Sequence, residues 1–233
     1  MSKILAVILA RGGSKSIKKK NLALVNGHPL IAYTIVEALK SNYIDRVIVS
    51  SDDEEIRAVS IQYGAEAPFS RPELLSGDAA KPVECDLHAT HWAENNKGVK
   101  YDFVVELLCT NPFKTHIDIN NALKIQIDTN ADSVIAVCHL EDHHPIRIKK
   151  IVNGMIKDFC LEEIPESRRQ DLDPPAYIRS GSIYVTKIDF LLEHNSRYGG
   201  NITASYILPE ERVINIDELD DFILAEIKLG ERK

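Results

Sequence analysis

Long apolar runs, paired cysteines and an excess of basic residues are all missing from this sequence of 233 residues. No stretch approaches the roughly 20 consecutive apolar residues that cross a bilayer, so no membrane partner is expected. The formal net charge of −7 argues against a general nucleic-acid or membrane-surface binder, since such proteins usually carry a basic excess. The four cysteines form no Cys-x-x-Cys pair, which favours reduced thiols in a cytoplasmic protein.

What the chain does contain is a regular alternation of strand-length apolar runs and helical stretches. The order of these segments predicts an α/β, Rossmann-like, doubly wound fold with a mainly parallel sheet and ligands at the carboxyl ends of its strands. The length fits a single domain spanning 1–233. The predicted strands are 4–9, 46–50, 103–109, 133–138, 182–185 and 213–216. Three helices are predicted to end near residues 40, 63 and 95. Three more are predicted at 118–129, 189–194 and 218–229, the first of them capped by Asp118.

The alternation is interrupted between about 140 and 180. Asn153-Gly154 lies between two strand-like segments and predicts a two-residue hairpin. The stretch 162–176 is polar and proline-rich, too irregular for a core element. We therefore expect an insertion at about 140–180 on the single domain.

A basic loop follows the first predicted strand. Between Arg11 and Asn21 lie five lysines or arginines and two glycines. The spacing matches neither a Walker A loop nor a dinucleotide-binding turn. Backbone N–H groups and cations in such a loop can face phosphate oxygens, and Arg11 is placed for a bidentate contact. A solvated basic loop is the alternative, but the strand-end position and the acidic background favour a nucleoside triphosphate site.

The same residues resemble a known family. Ala10-Arg11-Gly12-Gly13-Ser14-Lys15 with Lys20-Asn21-Leu22 is similar to the CTP-binding signature of the N-acylneuraminate (CMP-sialic acid) synthetases, a family with legionaminic acid-type members. Each motif alone is weak, whereas the ordered set covers nearly the whole chain. The further matches are Gly27-x-Pro29-Leu30-Ile31, Val49-Ser50-Ser51-Asp52, Arg71-Pro72-Glu73-Leu74, Thr110-Asn111-Pro112, Glu141-Asp142-His143-His144-Pro145, Arg168-Arg169-Gln170, Gly181-Ser182-Ile183-Tyr184 and Ile214-Asn215-Ile216-Asp217.

The resemblance implies a nucleotidyltransferase that moves CMP from CTP to the anomeric 2-hydroxyl of a nonulosonic acid, of the N-acetylneuraminate or legionaminate type, and releases pyrophosphate. It implies catalytic roles for Arg11, Lys20 and Asp217. Asp217 matches a Mg²⁺-binding aspartate (Mn²⁺ would serve as well), and Asn215 stands where the family often has a second aspartate. Asp217 could also cap the last helix. The implied nucleotide contacts are Ala10, Arg11, Gly12, Gly13, Ser14, Lys20, Asn21, Arg71 and Asp78.

The sugar side departs from the family. Leu108 replaces a usual glutamine and cannot hydrogen-bond, and Ser180 replaces a usual asparagine. The insertion is implied to be an arm that reaches a partner subunit, which predicts a homodimer in which Arg147 or Arg169 pairs with the sugar carboxylate. A surface-charge role is the alternative for both arginines. The implied sugar contacts are Leu108, Thr110, Asn111, Arg147, Arg169, Gln170, Tyr177 and Ser180.

Two other functions stay open at this level. A Kdo-type enzyme would use an eight-carbon acid, although the segments 141–145 and 168–170 favour the nine-carbon branch. A catalytically silent nucleotide-binding relative is kept open by Asn215 and Leu108. The joint presence of Arg11, Lys20 and Asp217 argues against it.

Overall fold

The computed structural model describes residues 2–14, 16–140, 143–162, 168 and 171–230. Ten strands and six α-helices lie in these ranges. In chain order they are β1 (Ile4–Leu9), β2 (Leu24–Val25), β3 (His28–Pro29), α1 (Leu30–Leu39), β4 (Arg46–Ser50), α2 (Glu54–Gln62), α3 (Pro82–Lys97), β5 (Phe103–Leu107), α4 (His116–Thr129), β6 (Ser133–His139), β7 (Lys149–Val152), β8 (Met155–Asp158), β9 (Tyr177–Lys187), α5 (Ile188–His194), β10 (Thr203–Ile207) and α6 (Leu219–Gly230).

Six strands form the central sheet in the order β10-β6-β9-β5-β1-β4. β1 runs parallel to both β4 and β5, β10 runs parallel to β6, and β9 is antiparallel to its neighbours β5 and β6. The sheet is therefore mainly parallel, and the predicted α/β, doubly wound class is confirmed.

Alternate residues of β1 supply two separate hydrophobic cores. Ile4, Ala6 and Ile8 pack with α1, α2 and α4, whereas Leu5 and Val7 pack with α3 and α5 on the opposite face. Successive side chains of a strand point to opposite faces, so a continuous apolar run is what a sheet covered on both sides requires. Burying each such isoleucine or leucine stabilises the fold by roughly 1.5–3 kcal/mol.

For the central sheet, one predicted strand is wrong and one observed strand is missing from the prediction. Residues 213–216 form no strand; the Ile216 N–H donates to the Thr110 carbonyl at 2.7 Å, and the Ile216 side chain is buried against α6. The sixth strand is β10, at the edge of the sheet. Its residues alternate between exposed and half-buried, a weaker apolar signal than a central strand gives.

The cap of α4 also differs from the prediction. Thr115 is the N-cap, and the Asp118 carboxylate accepts the Thr115 N–H at 2.7 Å in a reciprocal capping box. Asp118 lies in the first turn, where a carboxylate favours the positive end of the helix dipole.

The predicted hairpin forms between β6 and β9. β7 and β8 pair as a separate two-stranded sheet, and the turn residues Asn153 and Gly154 both have positive φ, at 53° and 76°. This is the backbone that a two-residue Asn-Gly turn adopts. Among the described residues, no helix is both long and apolar enough to cross a membrane.

Candidate active site

The carboxyl ends of β1, β4 and β5 meet at one edge of the sheet, and their loops enclose a cleft. Such an edge is where open α/β sheets bind their ligands. The basic loop after β1 forms one wall, and the segment that begins at Leu108 after β5 forms another. The cleft divides into two cavities that share Leu9, Arg11 and Leu108 as their common border.

Short contacts fasten the basic loop to its neighbours. The Ala10 N–H donates to the Ser50 carbonyl at 3.1 Å, and the Gly12 N–H donates to Asp52 Oδ1 at 3.1 Å. Asn21 is buried and donates from Nδ2 to the Arg11 carbonyl at 3.1 Å. Gly12 also lies close to Asp53, the N-cap residue of α2. A Cβ at position 12 would be 2.8 Å from a carboxylate oxygen of Asp53, so only glycine allows the loop to approach this closely.

The basic loop also contacts the segment that precedes α6. Lys20 Nζ donates to the Ile216 carbonyl at 2.9 Å and lies 3.1 Å from Asp217 Oδ1. Ser16 Oγ donates to the Asp217 carbonyl at 2.6 Å. Lys20 and Asp217, two of the three predicted catalytic residues, are thus in direct contact.

The first cavity, which we call the lysine cavity, has a volume of about 380 Å³. It brings together Arg11, Lys20 and Asp217 with the predicted nucleotide residues Ser14 and Asn21. Thr110, predicted on the sugar side, and Cys109 line it as well. Burial raises the pKa of the Cys109 thiol to about 12, so this thiol stays protonated at neutral pH.

The second cavity, the arginine cavity, has a volume of about 350 Å³ and is lined by both Arg71 and Asp78. Arg71 is buried, yet its contacts are long: 3.4 Å to Ser76 Oγ, 3.8 Å to Cys85 Sγ and 3.6 Å to Asp52 Oδ1. A buried guanidinium with such weak acceptors is suited to a polar ligand in the cavity. Asp78 pairs with Arg11 at 2.8 Å, so this aspartate holds the side chain that borders both cavities.

Two of the predicted sugar-binding residues, Asn111 and Ser180, form hydrogen bonds to the backbone and line neither cavity. Asn111 is fully buried; its Oδ1 accepts the N–H groups of Phe113 and Lys114, and its Nδ2 donates to the Arg212 carbonyl at 2.8 Å. Ser180 is also buried and donates from Oγ to the Ala136 carbonyl at 2.9 Å. Leu108, by contrast, faces both cavities.

Of the predicted arm residues that the structure describes, Arg147 and Tyr177 line neither cavity. Arg147 ends a short 3₁₀ turn next to the hairpin, and its N–H donates to the His144 carbonyl at 2.8 Å. Tyr177 begins β9, is half exposed and packs edge-on against the His139 ring. Arg169 and Gln170 lie outside the described residues.

Asn215 does not line the cavities. Its Nδ2 donates to the Ser180 carbonyl at 2.7 Å, and its Oδ1 is buried without a hydrogen-bond partner in the described part of the chain. Gly181, at φ 62°, passes so close that a Cβ there would lie 3.2 Å from Asn215 Nδ2. The described residues contain no cluster of three or more histidines, cysteines or carboxylates that could hold a metal by themselves.

The sequence reasoning missed three charged residues around the cleft. Lys114 is 1% exposed; its Nζ donates to Thr34 Oγ1 at 2.7 Å and to the carbonyls of Leu108 and Asn111 at 2.6 and 2.7 Å. Burial lowers the pKa of Lys114 to about 7. Glu106 and Arg197 line the arginine cavity. Glu106 could have been found from the sequence, because it is the one charged residue in the apolar run of β5. No comparable sequence pattern pointed to Lys114 or Arg197.

The fold and the two adjoining cavities define a nucleotide-binding α/β protein. The chain belongs to the cytidylyltransferase family, whose model matches residues 5–149, and the family expected from the motifs is thereby confirmed. It is a nucleotidyltransferase.

Named relatives extend over almost the full chain. A pseudaminic acid cytidylyltransferase of Campylobacter jejuni is 34% identical over 97% of this chain and 95% of its own length. A CMP-N,N'-diacetyllegionaminic acid synthase of Legionella pneumophila is 31% identical over 96% of this chain and 95% of its own length. A solved CMP:2-keto-3-deoxy-manno-octonic acid synthetase complexed with CTP has the same fold, with a TM-score of 0.71 at 18% identity and 100% coverage of both chains.

Proposed function

We propose that this protein transfers the cytidylyl group of CTP to the anomeric 2-hydroxyl of a nonulosonic acid and releases pyrophosphate. The observation that carries the proposal is the contact of Lys20 with Asp217 beside Arg11, in a cavity at the carboxyl ends of the parallel strands. Relatives named for nonulosonic acids support the choice of acceptor over an eight-carbon acid.

The residues of the lysine cavity fit the charge demands of this reaction. Attack of the sugar hydroxyl on the α-phosphorus displaces pyrophosphate, and negative charge builds on the bridging and terminal oxygens. Arg11 and Lys20 place two cations on this cavity, and Ser14 of the loop between them lines it as well, so these groups can face phosphate oxygens. Holding both substrates in line supplies the rest of the rate enhancement.

The donor set also fits a divalent cation shared with the substrate. Mg²⁺ is usually held by one or two carboxylates together with substrate phosphates. Asp217 provides one carboxylate at the cavity wall, with its side chain 69% exposed. Asp217 would hold Mg²⁺ or Mn²⁺; Asn215, the other residue expected to bind the metal, has its Oδ1 buried outside the lysine cavity and would not add a second oxygen in this arrangement. When bound, the metal would neutralise charge on the phosphate oxygens.

We further propose that the protein is a homodimer. It would form through the β7–β8 hairpin and the adjoining Phe159, which together we call the hairpin arm. Ile151, Met155, Ile156 and Phe159 are 77%, 66%, 74% and 60% exposed on and beside β7 and β8. A second copy of the same arm would remove this apolar surface from water. A basic residue of the arm, with Arg147 and Arg169 as the candidates, would then reach the partner's sugar site.

The cytoplasm is the compartment that suits the free thiols. Cys85, Cys109, Cys138 and Cys160 are all unpaired, although Cys160 is exposed. Reducing compartments keep such thiols free.

Pyrophosphate release from CTP and Mg²⁺ tests the reaction. The acceptors are N-acetylneuraminate, legionaminate, pseudaminate and Kdo, each in a separate assay. We expect turnover with at least one nine-carbon acid and much slower turnover with Kdo. CTP binding without turnover on any acid would instead identify a silent relative, and a preference for Kdo would move the protein to the eight-carbon branch.

A further inference from the structure

A third cavity, which we call the α1 cavity, lies between α1, the segment 112–115 that follows β5, and the end of α6. Its volume is about 350 Å³. Among the described residues, none that lines it also lines the lysine cavity or the arginine cavity. The α1 cavity is therefore separate from the cleft that the proposed reaction uses.

Most of the lining of the α1 cavity is apolar. Three elements contribute to this part: α1 with Ala32 and Val36, the segment after β5 with Pro112 and Phe113, and α6 with Leu229. Small-molecule sites are concave, of about this volume and mainly apolar, with a few polar groups that orient the ligand. The lining thus suits a ligand that is itself mostly apolar.

Three rings add an aromatic wall to the α1 cavity. His28 packs edge-on against Tyr33, with 6.1 Å between the ring centroids, and its Nδ1 lies 3.3 Å from the Tyr63 hydroxyl oxygen. The Tyr33 hydroxyl donates to the Val25 carbonyl at 2.6 Å, which fixes the direction of that ring. Aromatic side chains favour stacked or edge-on contacts with other rings, so a flat aromatic ligand matches this wall.

The charged groups of the α1 cavity favour a neutral ligand. Glu37 and Lys114 both line it and carry charges of opposite sign. The Glu37 carboxylate accepts the His116 N–H at 2.7 Å and pairs with Lys40 at 2.7 Å. Lys114 Nζ already has three acceptors, at 2.6 to 2.7 Å. Neither charge needs a partner from the ligand, and an ion placed here would lose its hydration without gaining one.

Lys114 connects the α1 cavity to the cleft. Its Nζ donates to the carbonyls of Leu108 and Asn111, and Leu108 lines both cavities of the cleft. The neighbouring Thr110 lines the lysine cavity, and its carbonyl accepts the Ile216 N–H at 2.7 Å. A molecule in the α1 cavity would therefore contact the side chain that fixes one wall of the cleft.

We propose that the α1 cavity is an effector site for a neutral aromatic small molecule and that its occupant favours the binding of CTP. The α1 cavity and the open cleft exist in the same arrangement of the segment 108–115, so a ligand that binds this arrangement raises its population. Linkage then requires CTP to tighten the binding of the effector by the same factor. The site itself is independent of the proposed function, and only its coupling to CTP rests on that function.

Indole is the probe for the test, because it is neutral, flat and apolar apart from one N–H donor. We expect calorimetry to give a Kd for indole on the order of 0.1 to 1 mM, which is ordinary for so small a ligand. With indole well above this concentration, the Kd for CTP should fall about fivefold, at the lower end of usual coupling between sites. The reverse titration should give the same factor.

Val36→Trp tests the location, since the larger ring fills the α1 cavity. It should abolish indole binding and leave the Kd for CTP in the absence of indole within about twofold. Leu39→Trp, at a position of the same helix that is 47% exposed, is the matched control and should bind indole like the wild type. If Val36→Trp fails to fold, wild-type NMR spectra give the location, because indole should shift the amide signals of α1 and of residues 113–115.

Thr34→Val tests the coupling. Thr34 does not line the α1 cavity, but its hydroxyl accepts from Lys114 Nζ at 2.7 Å, so the variant removes one of the contacts that hold this ammonium. Indole should bind to it as to the wild type, whereas the effect of indole on the Kd for CTP should decrease.

Each outcome bears on one proposal. A wild-type protein that does not bind indole, or a folded Val36→Trp variant that binds it equally well, would overturn the site. Indole binding with an unchanged or weakened CTP affinity would overturn the effector role. A protein that binds indole at this site but does not bind CTP would refute the proposed function and leave the binding site standing.

Discussion

At the scale of single residues, Arg11 is the charged side chain that lines both the lysine cavity and the arginine cavity. It leaves β1 at the point where the strand ends, borders both cavities and is held by Asp78. A cation in this position can stabilise charge that develops on the phosphates during transfer.

We predict that Arg11→Ala lowers kcat about 10²- to 10³-fold, the usual effect of removing one preorganised group that stabilises transition-state charge. Pyrophosphate release at saturating CTP and sugar acid measures it. Lys124→Ala, which breaks an exposed pair with Asp128 on α4, is the control and should leave kcat unchanged. A wild-type rate in the Arg11 variant would show that the basic loop is not the triphosphate site.

Lys114 organises the turn after β5 from inside the protein. Its ammonium contacts two backbone carbonyls of that turn and the hydroxyl of Thr34. The pKa of about 7 lies far below the value of a free lysine because burial disfavours the charged form. Above pH 7 the folded protein therefore binds fewer protons at this site than the unfolded chain does.

This difference makes the free energy of unfolding depend on pH. Stability rises with pH wherever the unfolded state binds more protons, so Lys114 contributes a positive slope that begins near pH 7, of at most about 1.4 kcal/mol per unit. We predict that the stability of the wild type relative to Lys114→Met increases from pH 6 to pH 8, as measured by urea unfolding. A difference that is constant or decreases over this range would contradict the predicted protonation state.

At the scale of elements, β5 and the turn after it carry the part of the site that departs from the family. Glu106 and Leu108 continue one face of the strand, and Lys114 and Asn111 fix the turn from behind. The strand sets the positions of Glu106 and Leu108 at the cavity, whereas the buried side chains of Lys114 and Asn111 fix the backbone of the turn by hydrogen bonds. A change at Leu108 should thus affect the acceptor more than the nucleotide.

We predict that Leu108→Gln changes the ratio of kcat/KM values among the nine-carbon acids and leaves the Kd for CTP within about twofold, since CTP is expected to draw on Arg11, Lys20 and Arg71. Calorimetry gives the Kd and the pyrophosphate assay gives the ratio. Leu39→Gln, at a surface position of α1 that is 47% exposed, is the control. A weaker CTP affinity with unchanged acid preference would place Leu108 on the nucleotide side.

At the scale of the molecule, the sequence predicted the features that residues close together in the chain determine, and it did not predict contacts between distant residues. The run Ile4–Leu9 and the basic loop after it were readable because one strand and its own end supply both. The contacts Lys20–Asp217 and Glu106–Arg197 join residues 197 and 91 positions apart, and no sequence spacing encodes them. Asn111 matched a sugar-side motif and Ser180 stood at a sugar-side position, yet their buried hydrogen bonds depend on segments that only the folded chain brings near. β10 was missed because an edge strand buries too little to show a clear pattern.

The hairpin arm sets the last expectation, which concerns the assembly. Its exposed apolar residues lie on a two-stranded sheet that is paired with no other strand in the described part of the chain. We predict that the double change Ile151→Glu and Ile156→Glu converts a dimer to a monomer in sedimentation experiments, because two buried carboxylates per arm would have no partner. Ile61→Glu, at a position on α2 that is 58% exposed, is the control and should stay dimeric. If the arm also brings a basic residue to the partner's sugar site, the monomer should bind CTP normally but lose turnover. A wild-type protein that sediments as a monomer, or a monomeric variant with full activity, would contradict the shared site.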